Sequence, residues 1–255
     1  MRVPSATITP RAVAARKRWR SVNRRTRWQP QQWIGAALLA HFAIVLSIKL
    51  HKGLGAEIWW ISHAALLIAG VGLAARSSLL VSTALTSILV FHLVWLLDFG
   101  TWLYSGVFPL KITGYLADAD CLTWIATLHH FYLVPLLIAV FLCDRQYPRE
   151  ALLASLAVFL YLTVVSGFAL SPAANVNFAF AVLPGFEQPF IEWINGLSRT
   201  AYLLALNGTA SGLIFLPTAL VLRRFARRSV GTSAQSITEY AASTPQSGPE
   251  GQRGV

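Results

Sequence analysis

Five of the six histidines in the chain, His41, His63, His92, His129 and His130, fall inside apolar runs. A polar ring in hydrocarbon is costly and marks either chemistry or a hydrogen bond to a neighbouring helix. Imidazole offers three kinds of chemistry in such a place. It presents a lone pair to a metal ion, it accepts or donates a proton in acid–base catalysis, and it holds a ligand by hydrogen bonds. Asp98 closes the run that carries His92, and Asn207 lies within another apolar run.

What positions these side chains follows from composition. The chain has 255 residues, of which 55% are hydrophobic and 12% charged, against about 25% charged in an ordinary soluble domain. The deficit is concentrated in six apolar runs, residues 33–50, 58–75, 79–97, 122–142, 151–170 and 200–222. Each is long enough to cross a bilayer as a helix, which takes about 18 or more residues, and each is bounded by a charge or a helix breaker. The expectation is therefore all-α: one integral membrane bundle of about six transmembrane helices. Tails at 1–32 and 223–255 flank it, the second Ser/Thr/Gly/Pro-rich and without apolar periodicity. The Arg-rich lead without a small-residue cleavage site marks the first run as a retained anchor.

The net charge of +11 is not spread evenly: nine of the 21 basic residues lie in 2–27, with no acidic residue among them. Basic residues beside a span hold that flank in the cytoplasm and attract anionic lipid at about 1 kcal/mol each. Trp19, Trp28 and Trp33 suit the headgroup level. The expected partners are thus the bilayer and anionic headgroups at the N-terminal tail, with no nucleic acid. With the N-terminus inside, 17 Lys and Arg fall on the inner side and four on the outer. Both ends then face the cytoplasm, as an even number of spans requires, in a cytoplasmic (inner) membrane.

On that topology His63, His92, His129 or His130, and Asn207 all lie ~7–13 Å below the outer surface by helical rise, while His41 lies nearer the middle. Four helices offering polar groups at one depth favour a site over scattered packing contacts. His92 and His129, with Asp98, are the catalytic candidates. His63 and His130 are the cofactor-binding candidates, and Asn207 is a substrate-binding one. Adjacent on a helix, His129 and His130 point about 100° apart, so one of them is expected to face the centre. Asp98, six residues from His92, lies off its helical stripe and is not expected to pair with it.

Other signals read as structural. Gly208 and Gly212 have the GxxxG spacing that lets a neighbouring helix approach. Pro135 and Pro217 each remove a helical hydrogen bond. Cys121 and Cys143 bracket the fourth run, ~33 Å apart if it is helical, too far for a disulfide. The outer loops 98–120 and 171–199, rich in aromatic residues and interrupted by prolines, are expected to cap the bundle as interfacial or re-entrant segments.

A further set of residues carries a resemblance: His92 with Asp98-Phe99, Thr113-Gly114-Tyr115, Leu128-His129 followed by Pro135, Tyr147-x-Arg149-x-Ala151, and Pro172 with Asn175-Val176-Asn177-Phe178. Over roughly 92–222 the chain resembles an uncharacterised family of bacterial multi-pass membrane proteins. Where that family shows a glycine after the asparagine motif, this chain reads Ala179-Phe180-Ala181-Val182. The resemblance implies the membrane class and singles out His92, Asp98, His129, Asn175 and Asn177, without implying a reaction. Both asparagines would lie on the outer side above the histidines, as substrate-binding candidates.

Three functional classes follow. One is a membrane-embedded enzyme on a lipid or apolar substrate, with or without a metal, although HExxH and GxSxG are absent. The second is a non-enzymatic transporter, sensor or assembly component, for which no internal repeat and no charge deep in a span speaks. The third is a single-haem or quinone redox protein. The sequence names no cofactor.

Overall fold

A computed structural model describes residues 29–183 and 186–226, and among these every regular element is a helix. The long ones are α1 (Pro30–His51), α2 (Ile61–Ala75), α3 (Ser78–Ser105), α4 (Cys121–Asp144) and α5 (Glu150–Ala169). A short α6 (Pro189–Asn195) precedes α7 (Arg199–Ala226). Five of them, α1, α3, α4, α5 and α7, are long and apolar enough to cross a membrane. The remaining apolar run, 58–75, forms α2, which has 15 residues and spans only about 22 Å by rise; a 3-10 turn, Gly55–Trp59, overlaps the start of the run and precedes the helix.

The helix ends have local causes. Pro30 and Pro189 occupy first-turn positions where the missing N–H is no loss. The Ser77 hydroxyl accepts from Leu80 N at the start of α3, and the Asp120 carboxylate from Thr123 N at the start of α4. Gly106, at φ 73, ends α3 in the left-handed conformation that glycine adopts without strain.

Several boundaries differ from the sequence expectation. Residues 30–32 and 223–226 extend α1 and α7 rather than belonging to tails; the rest of both tails, 1–28 and 227–255, lies outside the described residues. Residues 98–105, expected in a loop, continue α3 to Ser105. The charge of Asp98 does not end the helix because loop N–H groups, rather than water, satisfy it. Gly208 and Gly212 do not make a close helix contact, since a Cβ on either meets nothing within 4 Å. Gly208 precedes a π-helical turn within α7, Ala210–Phe215, and Gly212 lies inside it. The close approach lies instead between α1 and α2, where a Cβ on Gly35 would stand 2.4 Å from Ala74 N and 2.7 Å from Gly70 O.

The α1–α2 contact fixes their direction, since Gly35 faces Ala74 and Leu39 faces Gly70. One end of the bundle thus gathers Gln32, Ala74, Ser82, Gln146, Arg149 and Arg223 through hydrogen bonds. The other gathers Lys52 with Asp120, and Ile61 with Asn177. The α3 helix is central and packs on α2, α4, α5 and α7. The main core joins α1 to α4 through side chains such as Leu38, Leu66, Leu85, Leu133 and Leu137. Leu97, Leu153, Leu160, Phe168, Leu213 and Leu220 point outward and are exposed. A bundle apolar on its outer as well as its inner side is one solvated by lipid.

Candidate functional site

The five histidines of the apolar runs meet in one cluster at the junction of α1, α2, α3 and α4. His129 stands at its centre. Its ring centroid lies 4.1 Å from His130, 5.1 Å from His63, 5.9 Å from His92 and 6.1 Å from His41. His92 and His129 are fully enclosed, at 1% and 0% exposure, and His63 is buried as well. His92 stacks on His130 at 4.6 Å, and Trp95 stacks on His130 at the same distance. Trp95 in turn packs on Phe99 and Phe131, so an aromatic wall closes one side.

Helix α4 accounts for both His129 and His130 taking part, contrary to the expectation that only one would. The helix breaks at Leu128 between Cys121–Thr127 and His129–Asp144. Through the break Leu128 N bonds Ile125 O and Phe131 N bonds Leu128 O, three residues back rather than four. The carbonyls of Ala126 and Thr127 instead accept Nδ1–H of His129 and His130, at 3.0 and 3.1 Å. The uniform 100° step no longer applies across this turn, and both rings fold toward α3.

The hydrogen bonds also assign tautomers. A carbonyl only accepts, so each ring nitrogen bonded to one carries the proton. His63 Nδ1–H donates to Glu57 O at 2.9 Å, which makes three rings held at Nδ1. In the neutral ring the lone pair of His63, His129 and His130 is then on Nε2. His41 is the reverse: Nε2–H donates to Ile125 O at 3.0 Å, and Nδ1 accepts from the Tyr132 hydroxyl. His41 is therefore fully engaged. By contrast, neither nitrogen of His92 nor Nε2 of His129 has a hydrogen-bond partner, although all three atoms are buried. One ring nitrogen from each of His92, His129 and His130 lies within 4.8 Å of the other two. Each stranded polar atom costs about 1–3 kcal/mol, so the arrangement is not one that packing alone favours.

Above His63 the 3-10 turn brings Glu57 into an ion pair with Lys49 of α1. A second pair, Lys52–Asp120 at 2.6 Å, ties α1 to the start of α4. Lys52, then Thr123, holds the Asp120 carboxyl below the usual carboxylate range.

The other sequence candidates serve the scaffold around this cluster. Asp98 is fully buried and accepts from Leu110 N at 2.7 Å, Thr113 N at 2.8 Å and Thr113 Oγ1 at 2.7 Å. It pins the loop after α3 rather than touching His92. Asn175 accepts from the N–H groups of Phe180 and Ala181 and donates to Ala181 O, closing its own loop. Asn177 accepts from Ile61 N at 2.8 Å and donates to Trp59 O at 2.8 Å and Ser166 Oγ at 3.2 Å. It thereby caps α2 from another part of the chain, two residues before His63. Asn207 bonds Thr163 Oγ1 and Leu203 O, linking α7 to α5. Cys121 and Cys143 are free and exposed.

His41, Trp95 and Tyr132 belong to the site but were not among the sequence candidates. Depth along its run sets His41 nearer the middle of the bilayer than the other four. It stands 11 residues from Pro30, or ~16 Å by rise, against ~21 Å for His92 from Ser78, and its ring spans the difference by reaching Ile125 and Tyr132. The signal available was only that it is a fifth histidine in an apolar run.

No protein-family model, curated protein or solved structure matches the chain.

Proposed function

We propose that the chain is a six-span protein of a cytoplasmic membrane with both ends inside, and that its histidine cluster is the reaction centre of an enzyme acting on a lipid or other apolar substrate. The observation that carries this reading is the convergence of five imidazoles around His129 with three buried ring nitrogens left unpartnered. A packing role would have engaged those nitrogens, as it does those of His41. Free nitrogens in a dry, aromatic-walled site coordinate or hydrogen-bond strongly, because no water competes with them. A haem is disfavoured by geometry, since it needs a flat slot between two axial rings. The space around His129 is instead occupied by the other imidazoles.

Orientation rests on where the cations lie. Arg76, Arg145, Arg149, Arg223 and Arg224 fall at the end of the bundle that carries both termini of the described chain, whereas Lys49, Lys52, Lys111 and Arg199 fall at the other. In a protein with Cys121 and Cys143 replaced by serine, Ser77→Cys is expected to react with a membrane-impermeant maleimide only after the cells are opened. Cys121, restored alone, should react in intact cells. Labelling of both from the same side would sink the six-span arrangement.

The enzymatic reading is tested in proteoliposomes built from a total lipid extract of the expressing cells. Mass spectrometry should find a lipid or apolar compound consumed by the wild-type protein and spared by His129→Gln. Identical profiles for the two proteins would defeat the reading and leave a sensor or assembly component.

A further inference from the structure

The nitrogens of the cluster define a more specific centre. We propose that His92, His129 and His130 coordinate a single divalent first-row transition-metal ion of the zinc class, through Nε2 of His129 and His130 and one ring nitrogen of His92. This deepens the reading of the cluster as a reaction centre and rests on it for what the ion does, but not for whether the ion binds.

Three observations support the site independently. The first is distance: one nitrogen from each ring already lies within 4.8 Å of the others. Ligands at 2.0–2.1 Å around a tetrahedral ion stand about 3.4 Å apart, so side-chain rotations moving each nitrogen by about an ångström complete the site. The second is the outer shell. His129 and His130 each donate Nδ1–H to a backbone carbonyl, the arrangement that fixes a ligating imidazole in the right tautomer and raises its basicity. The third is the stranded atoms, since buried polar nitrogens without partners are where an ion or ordered water belongs. A water molecule donates only two protons. The neutral rings of His92, His129 and His130 present three lone pairs, and His63 adds a fourth beside them. A cation satisfies three acceptors at once where a water cannot.

The chemistry of the donor set selects the ion. The three ligands are imidazoles with no thiolate among them, which suits zinc, copper, iron or nickel rather than magnesium or calcium. None of the three ligands is charged, so the ion keeps its full double charge in a low-dielectric site. Nearby carboxylates are already engaged, Asp98 by loop N–H groups and Glu57 by Lys49. An uncompensated dication with three neutral ligands demands an anionic or strongly polarised fourth ligand, a solvent oxygen or the polar head of a substrate. His63, whose lone pair is on Nε2 and whose ring lies 5.1 Å from His129, stands beside that fourth position. His41 and Tyr132 hold the Ile125–His129 turn in place.

The test uses the full chain, purified in detergent with any polyhistidine tag removed, stripped with a chelator and titrated with Zn²⁺ or Co²⁺ alone. One ion per chain is expected. The Co²⁺ form should show the intense visible bands of four- or five-coordinate nitrogen ligation. His92→Ala and His129→Ala should weaken binding by more than about 100-fold, whereas His51→Ala, at the exposed end of α1, should not change it. Because a ligand variant can misfold, the wild-type titration and spectrum decide alone if necessary. Wild-type protein that takes up no stoichiometric ion, or whose Co²⁺ spectrum shows only pale six-coordinate bands, overturns the proposal. Lipid conversion that survives metal stripping would also overturn a metal role while leaving the enzyme reading intact. Stoichiometric metal without any conversion would do the reverse.

Discussion

Replacing His129 by glutamine is expected to lower conversion in proteoliposomes by about 10²–10⁴-fold, with the protein still folded. The size follows from position: His129 is the one ring that contacts all four other imidazoles, and it is entirely enclosed. His41 cannot stand in for it, being engaged at both nitrogens, and none of the other rings touches all its neighbours from the centre. Glutamine keeps a donor for Ala126 O but offers an amide oxygen, a much weaker base and ligand than imidazole. His51→Gln, at the exposed end of α1, is the control and should convert at the wild-type rate. A His129 variant within about tenfold of the wild type would remove it from the chemistry.

The second large effect is on stability. Asn177→Ala is expected to destabilise the protein by about 3–5 kcal/mol, read as a fall in thermal midpoint in detergent. Three interactions are lost, to Ile61 N, Trp59 O and Ser166 Oγ, and the Ile61 N–H is left buried at about 1–3 kcal/mol. The residue also sits at φ 55, where a Cβ without a compensating side chain costs a further ~1–2 kcal/mol. Asn177→Gly removes the second penalty but not the first, so it should lie between the wild type and alanine. Because Asn177 caps α2 just before His63, both variants should also impair conversion. Equal stability of all three proteins would show that the loop after α5 does not hold α2.

The helical membrane class was plain, because uncharged runs of this length have few other uses. The course of α3 beyond Asp98 was not, since a charge at a run's end signals an exit unless something satisfies it. Here the satisfying groups, Leu110 and Thr113, come from a loop whose path the sequence does not specify. Of the cluster, the depth arithmetic picked out His63, His92, His129 and His130. It treated α4 as a uniform helix, so it allowed only one of the adjacent pair to face inward, and it missed His41. It also placed Asn207 with them, although depth carries no information about rotation, and α7 turns that amide toward Thr163. The asparagines of the 175–177 motif stood out by resemblance alone. Their work is to shape a loop in left-handed conformations and cap a distant helix, which no local pattern announces. Gly208 and Gly212 show the opposite error: a recognisable spacing that faces open space.

Thermal unfolding of His92→Leu, with a chelator present throughout, separates a cluster kept for chemistry from one kept for packing. His92 strands two buried ring nitrogens, and removing them should recover about 1–3 kcal/mol each, against a stacking loss of about 0.5–1.5 kcal/mol on His130. The variant should be as stable as the wild type or more so. His41→Leu, in the same series, should be less stable, because it abandons the Tyr132 hydroxyl and the Ile125 carbonyl. A clear loss of stability in His92→Leu, comparable to that of His41→Leu, would make the histidines part of the packing and remove the case for a reaction centre.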